Sequence, residues 1–200
     1  MLLVKKIELE PRDISPLLKS LKHPKHEVKV FDAIYARVDP DKPTSEALHP
    51  LIKAYLQPVF VQKEIASPPT FKDYLQAHFI ALLKRGKIMS LAELGCFASH
   101  YALWQYCLCH NTPICVLEDD IEIEPSFFEA LDFLEKEIRG LYYVRLNYSW
   151  KHTKTKLTPF KQIHEIIGVY NGIGTQGYVL TPQAATAFIK ASRFFHVSVD

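Results

Sequence analysis

One short segment constrains this chain more than any other. Ile114-Cys115-Val116-Leu117 is a fully apolar run that follows Pro113 and ends abruptly in Glu118-Asp119-Asp120. A continuous apolar run of this length suits a strand covered on both faces, as in the parallel sheet of an α/β domain. Pro125-Ser126 then opens a helix with Phe127, Phe128, Leu131, Leu134 and Ile138 on its buried side and Ser126 and Glu129 placed for capping. The predicted unit is therefore a buried strand, an acidic connection and a packed helix.

The rest of the chain repeats this alternation. Val28-Lys29-Val30-Phe31 predicts a strand with Asp32 at its end. Pro40, Pro43, Pro50, Pro58, Pro68 and Pro69 leave room only for short helices or irregular structure between Arg37 and Pro69. Phe71, Tyr74, Leu75, His78, Phe79, Leu82 and Leu83 share one helical face, with Thr70 and Asp73 as an approximate capping box. Ser90-Leu91-Ala92-Glu93 is a second capping box and predicts a helix to about Cys109. Tyr142–Leu146 and Tyr178–Leu180 read as strands, Lys151–Lys161 as an exposed basic loop, and Thr181-Pro182 as a helix start. Strands alternating with helices predict one α/β domain over residues 1–200 with a largely parallel central sheet flanked by helices.

Composition removes several function classes. A content of 48% hydrophobic and 23% charged residues is that of an ordinary globular domain. The net charge of +2 gives no electrostatic argument for nucleic acid. Met1–Lys6 is too short for a signal-peptide core and no run approaches the length of a membrane span, so the expected location is cytoplasmic. The four cysteines, Cys96, Cys107, Cys109 and Cys115, lack paired metal-ligand spacing and read first as buried free thiols, with zinc binding as the lesser alternative.

In an α/β sheet, ligands bind beyond the carboxyl ends of the strands, where Glu118, Asp119 and Asp120 fall. If the backbone stays extended, Glu118 and Asp120 face one way and Asp119 the other. Two carboxylates about 5 Å apart repel by roughly 3 kcal/mol at an effective dielectric near 20. Such a site favours a hard divalent cation, magnesium or manganese, which would bridge to phosphate. The competing reading is a solvated acidic loop leading into the Pro125-Ser126 helix. Trp104 reads as core rather than as a sugar platform, and Ser99 and His100 read equally as ligand contacts or as packing residues. Gly172, Gly174 and Gly177 permit close backbone approach but precede a strand, so they form no dinucleotide fingerprint.

Three segments belong together: Leu94-Gly95-Cys96-Phe97-Ala98-Ser99-His100 with Trp104, Val116-Leu117-Glu118-Asp119-Asp120, and Gly174-Thr175-Gln176-Gly177-Tyr178-Val179-Leu180-Thr181-Pro182. Together they resemble glycosyltransferase family 25, the lipooligosaccharide and lipopolysaccharide galactosyltransferases. The resemblance covers about residues 28–200. It implies a GT-A-like nucleotide-sugar fold, Mn2+ or Mg2+, a UDP-sugar donor (UDP-galactose first) and a lipid-linked oligosaccharide acceptor. On this reading Asp120 binds the metal directly, Glu118 assists through the metal or the donor ribose, and Asp119 orients the pair. Asp32, Ser99, His100 and Gly177 join Glu118 on the donor side. The family's Val-Pro-Val-Asp-like segment corresponds to Val197-Ser198-Val199-Asp200, where the chain stops. Asp200 is then a candidate catalytic base at a shortened end.

Two other readings stay open at the level of sequence. A metal-dependent phosphohydrolase would use the Glu118–Glu124 carboxylates to hold two ions. A shortened or degenerate domain would bind nucleotide sugar or glycan without turnover. The clustered lysines of 151–161 suggest peripheral contact with anionic lipid at the inner face of a bacterial inner membrane.

Overall fold

A computed structural model describes residues 2–6, 13–32, 71–137, 143–146, 154–159, 163–167 and 174–192. The proline-rich excursion 37–69, Thr70, Ile138, Lys151, His152, Lys161, Gly172 and Asp200 lie outside the described residues.

Five helices and seven strands are described. The strands are β1 (Leu2–Lys6), β2 (Val28–Asp32), β3 (Ile114–Glu118), β4 (Tyr143–Arg145), β5 (Thr155–Leu157), β6 (His164–Ile166) and β7 (Gly177–Leu180). The helices are α1 (Ser15–Ser20), α2 (Phe71–Arg85), α3 (Leu91–His110), α4 (Phe127–Glu137) and α5 (Pro182–Ala191). The main sheet has the order β2-β1-β3-β7-β4. β1 is parallel to both β2 and β3, whereas β7 is antiparallel to β3 and β4. The class is α/β as expected, but the sheet is mixed. Four strands run one way, and β7, inserted between β3 and β4, runs against them.

Side-chain alternation explains why β3 is apolar throughout. Ile114 and Val116 pack into a cluster with Phe97, Tyr101, Leu103 and Trp104 of α3, Tyr178 and Leu180 of β7, and Ala184, Ala185 and Ile189 of α5. Cys115 and Leu117 face the other way, into a cluster with Leu17 and Leu21 near α1 and Leu131 and Leu134 of α4. Both faces of the strand are therefore covered, and each fully buried aliphatic side chain contributes about 1.5–3 kcal/mol. Burial pushes the thiols of Cys107 and Cys115 up to about 12, so both are inert packing residues.

The ends of α3 and α5 follow local chemistry. Ser90 Oγ accepts from the Glu93 amide while the Glu93 carboxylate accepts from the Ser90 amide, the predicted reciprocal box. Burial would raise the Glu93 carboxyl, but Arg85 and the Ser90 amide override it and hold Glu93 below its ordinary value. Asn111 ends α3 in the left-handed region at φ 47°, turning the chain directly into β3. Thr181 caps α5 by accepting from Ala184, and Pro182 sits at the first turn, where no amide hydrogen is required.

Three expectations need correction. The turn Pro125-Ser126 precedes the helix, which begins at Phe127. Part of the basic segment is not a loop, because Thr155–Leu157 pairs antiparallel with His164–Ile166 in an exposed two-stranded ribbon. The helix from Phe71 forms as predicted, but Leu75, Phe79, Leu82 and Leu83 of the apolar stripe are exposed, and among the α2 residues whose burial is described Ala81 is the buried one.

Candidate functional site

The parallel register places the ends of three strands along one edge. Lys5 of β1 lies between Phe31 of β2 and Glu118 of β3, and Asp32 comes one residue later along β2. Asp32 therefore lies on the same sheet edge as the acidic segment, the edge where α/β domains bind ligands. Glu118 continues the alternation Ile114, Val116, Glu118, so its side chain falls on the α3 face.

There it meets two partners that the sequence reading did not pair with it. Thr175, fully buried just before β7, donates from Oγ1 to Glu118 Oε1 at 2.9 Å. His100, fully buried on α3, brings Nε2 to 3.5 Å from the same oxygen. The backbone joins as well, with the Glu118 amide donating to the Gln176 carbonyl at 2.8 Å. The turn before β7 requires Gly174, whose φ is 101° and whose added Cβ would meet the Gln176 side chain.

Behind His100 the network continues into the core. His100 Nδ1 lies 2.8 Å from the Tyr178 hydroxyl, and Trp104 Nε1 donates to that hydroxyl at 3.2 Å. An indole N–H can only donate, so the phenol oxygen accepts from Trp104 and its own proton is available to His100 Nδ1. That leaves the Nε2–H of a neutral imidazole facing the Glu118 carboxylate, the orientation electrostatics favours. The opposite tautomer also fits, with Tyr178 accepting from both nitrogens and the Nε2 lone pair facing Glu118. Burial raises the Tyr178 phenol well above its ordinary value, so it acts here as a neutral hydroxyl.

The backbone does not remain extended through the acidic segment. β3 ends at Glu118, and Asp119 and Asp120 form a turn, with Asp119 buried and Asp120 exposed. The predicted facing pair of Glu118 and Asp120 rested on extension, and the turn removes that geometric basis. Glu118 is anchored inward while Asp120 is presented outward.

The other candidates fall as follows. Ser99 is buried and donates from Oγ to the Gly95 carbonyl at 2.8 Å within its own helix. Trp104 packs against Phe97 and Phe188, in keeping with the core reading. At Gly177 an added Cβ would lie 3.2 Å from Leu117 and 3.6 Å from Leu146, so close packing already accounts for a glycine there. The backbone of Asp32 is placed and its side chain is not described, and Asp200 lies outside the described residues. Thr175 and Tyr178 were missed as site residues. Both stand in the quoted segment Gly174–Pro182, but the Val116–Tyr178 register that brings them to Glu118 and His100 is a tertiary fact.

Among the described residues, two groups of three metal-capable side chains have ligand atoms within 4.8 Å of one another. One is Cys96, His100 and Glu118; the other is His26, Asp132 and Glu135. A cavity of about 440 Å³ lined by Lys22, His23, Pro24, His26 and Val28 opens beside the second group, at the amino-terminal end of β2. That is the opposite edge of the sheet from Glu118.

No helix among the described residues is long and apolar enough to cross a membrane.

The sequence is similar to those of several known proteins. A Drosophila melanogaster glycosyltransferase 25 family member is 28% identical over 108 residues, covering 52% of this chain and 18% of that protein. The lipooligosaccharide biosynthesis protein lic2B of Haemophilus influenzae is 29% identical over 156 residues, covering 67% of this chain and 58% of that protein. Procollagen galactosyltransferase 1 of Danio rerio is 27% identical over 113 residues, 53% of this chain and 18% of that protein. The matched region thus spans less than two thirds of each of these relatives. Residues 12–200 match the family described as glycosyltransferase family 25 (LPS biosynthesis protein), with the acidic turn, the His100 helix and β7 all inside the match. The chain belongs to glycosyltransferase family 25.

Proposed function

We propose that this chain transfers a hexose, galactose in the first instance, from a UDP-sugar to a hydroxyl of a lipooligosaccharide or lipopolysaccharide acceptor. The reading takes the fold as GT-A-like and places the reaction at the cytoplasmic face of a bacterial membrane. One observation carries it: an acidic turn at the carboxyl edge of β3, anchored at Glu118 by Thr175 and His100, in a glycosyltransferase family 25 chain. The names of the Haemophilus and Danio relatives support the acceptor class and the sugar, respectively.

Carboxylate oxygens suit a hard divalent ion. Asp120, exposed in the turn, would hold Mn2+ or Mg2+ directly, and Glu118, with its side chain 17% exposed, would assist through the metal or the donor ribose. When bound, such an ion neutralises charge on the departing diphosphate. The protein's own part is to keep Glu118 from rotating, through Thr175 on one side and the His100–Tyr178–Trp104 chain on the other. Asp119, buried within the turn, would orient the pair of Glu118 and Asp120. Asp32, on the same edge, stands on the donor side. A general base takes the acceptor proton, and Asp200 is the carboxylate candidate carried over from the family resemblance.

The test is transfer itself. With UDP-galactose, manganese and an oligosaccharide released from lipooligosaccharide, the acceptor should gain the mass of one hexose. Asp120→Asn should lower the rate at least about 100-fold, the scale of losing one preorganised charge-stabilising group. Full metal-dependent transfer by Asp120→Asn would overturn the assignment, and phosphate release without acceptor would support a phosphohydrolase.

A further inference from the structure

The acidic turn does not use everything that converges on Glu118. Cys96 and His100 are four residues apart on α3, so their side chains leave the same helical face one turn apart. Cys96 is partly exposed, His100 is buried, and Glu118 lies between interior and solvent. Their sulfur, imidazole nitrogen and carboxylate oxygen lie within 4.8 Å of one another.

The distances have a specific meaning. The separation of His100 Nε2 and Glu118 Oε1 is 3.5 Å, longer than an ordinary N–H···O bond of about 2.7–3.2 Å. Two ligands on one tetrahedral ion, with metal–ligand bonds of about 2.0–2.3 Å, stand about 3.3–3.6 Å apart. The histidine and the carboxylate already have that spacing. Cys96 Sγ, within 4.8 Å of both, reaches it with a movement of at most about 1.5 Å, within the range of a side-chain rotation on a partly exposed residue.

The surroundings supply what such a histidine requires. A ligating imidazole donates its other N–H to a polar partner that fixes its orientation, and here Tyr178 lies 2.8 Å from Nδ1. Binding through Nε2 selects the tautomer with hydrogen on Nδ1, and the phenol oxygen then accepts from both His100 and Trp104.

We propose that Cys96, His100 and Glu118 form a three-ligand site for a borderline-soft divalent cation of the Zn2+ class, separate from the hard-ion site at Asp120. A thiolate with an imidazole selects zinc over magnesium or manganese, whereas carboxylates alone do not. Three protein ligands would leave a fourth tetrahedral position for water or another ligand. Because Glu118 belongs to both sets, an ion here and an ion held through Asp120 compete for one carboxylate.

Cobalt titration of the intact chain tests the site independently of transfer activity. The wild-type protein should bind one Co2+ with tetrahedral visible absorption and a thiolate-to-cobalt charge-transfer band, both abolished by one equivalent of Zn2+. Cys96→Ser should lose the band, and Cys109→Ser, outside the cluster, should keep it. Tyr178→Phe should keep the band but weaken zinc binding about 10–100-fold. Folding of each variant is read by circular dichroism. A band that survives in folded Cys96→Ser, or no band in the folded wild-type protein, would overturn the proposal.

Discussion

Among the described residues, two histidines stand 3.5 Å from a carboxylate oxygen, and they do different things. His100 Nε2 faces Glu118 in the interior, and His26 Nε2 faces Asp132 near the surface. Around His100 everything is fixed: Thr175 holds the same carboxylate, and Tyr178 and Trp104 hold the ring from behind. Around His26 the neighbours are looser. Lys25 donates to the Asp132 carboxylate at 3.1 Å from an exposed position, and His23 and Phe128 stack beside the ring. Equal distance does not make equal chemistry. Burial in low dielectric, with Thr175 on the carboxylate and Tyr178 behind the ring, makes the first pair costly to disturb, while the partly exposed Asp132 and the exposed Lys25 leave the second open to water and salt.

The comparison can be broken most directly at Tyr178. Tyr178→Phe removes the hydroxyl that joins His100 to Trp104 inside the core, and stability should fall by about 1–3 kcal/mol, read by urea denaturation. A loss near zero would mean that the interior network contributes no more than the surface one. Ser90→Ala supplies a surface yardstick of known kind: loss of the reciprocal cap on α3 should cost about 1 kcal/mol by the same measurement.

The smallest effect belongs to the His26 side. Lys25 holds the Asp132 carboxyl below its ordinary value, with lesser help from His26 and His23. A depressed carboxylate contributes stability that is present above its unfolded value and lost as pH falls through its folded value. Asp132→Asn should therefore flatten the acid limb of the stability profile slightly, and the difference should shrink in high salt. An acid limb that stays different in high salt would show that the pair is less screened than its exposure implies.

The same contrast separates what sequence could reveal from what it could not. β3 was legible because both of its faces are buried and so every position from Ile114 to Leu117 is apolar. α3 was legible because its cap is a local motif. β1 was not, since Leu2-Leu3-Val4-Lys5-Lys6 has neither alternation nor a turn signal, although it lies between β2 and β3. The acidic segment was found at the correct strand end, but extension was assumed where a turn begins at Asp119. The pairing of His100 with Glu118 depends on α3 packing over β3, and that of Tyr178 with His100 on the register of β7, which no local pattern encodes.

The most direct test of the central claim, that the turn from Glu118 to Asp120 is the metal-dependent donor site, is thermal stabilisation by UDP-sugars with and without manganese. A ligand that binds the native state alone raises stability by RT ln(1 + [L]/Kd), so UDP-galactose at 100 times its Kd should add about 2.7 kcal/mol. The account predicts stabilisation by UDP-galactose that requires manganese and disappears in Asp120→Asn. Equal stabilisation without manganese or in Asp120→Asn, or no response to any UDP-sugar, would contradict it.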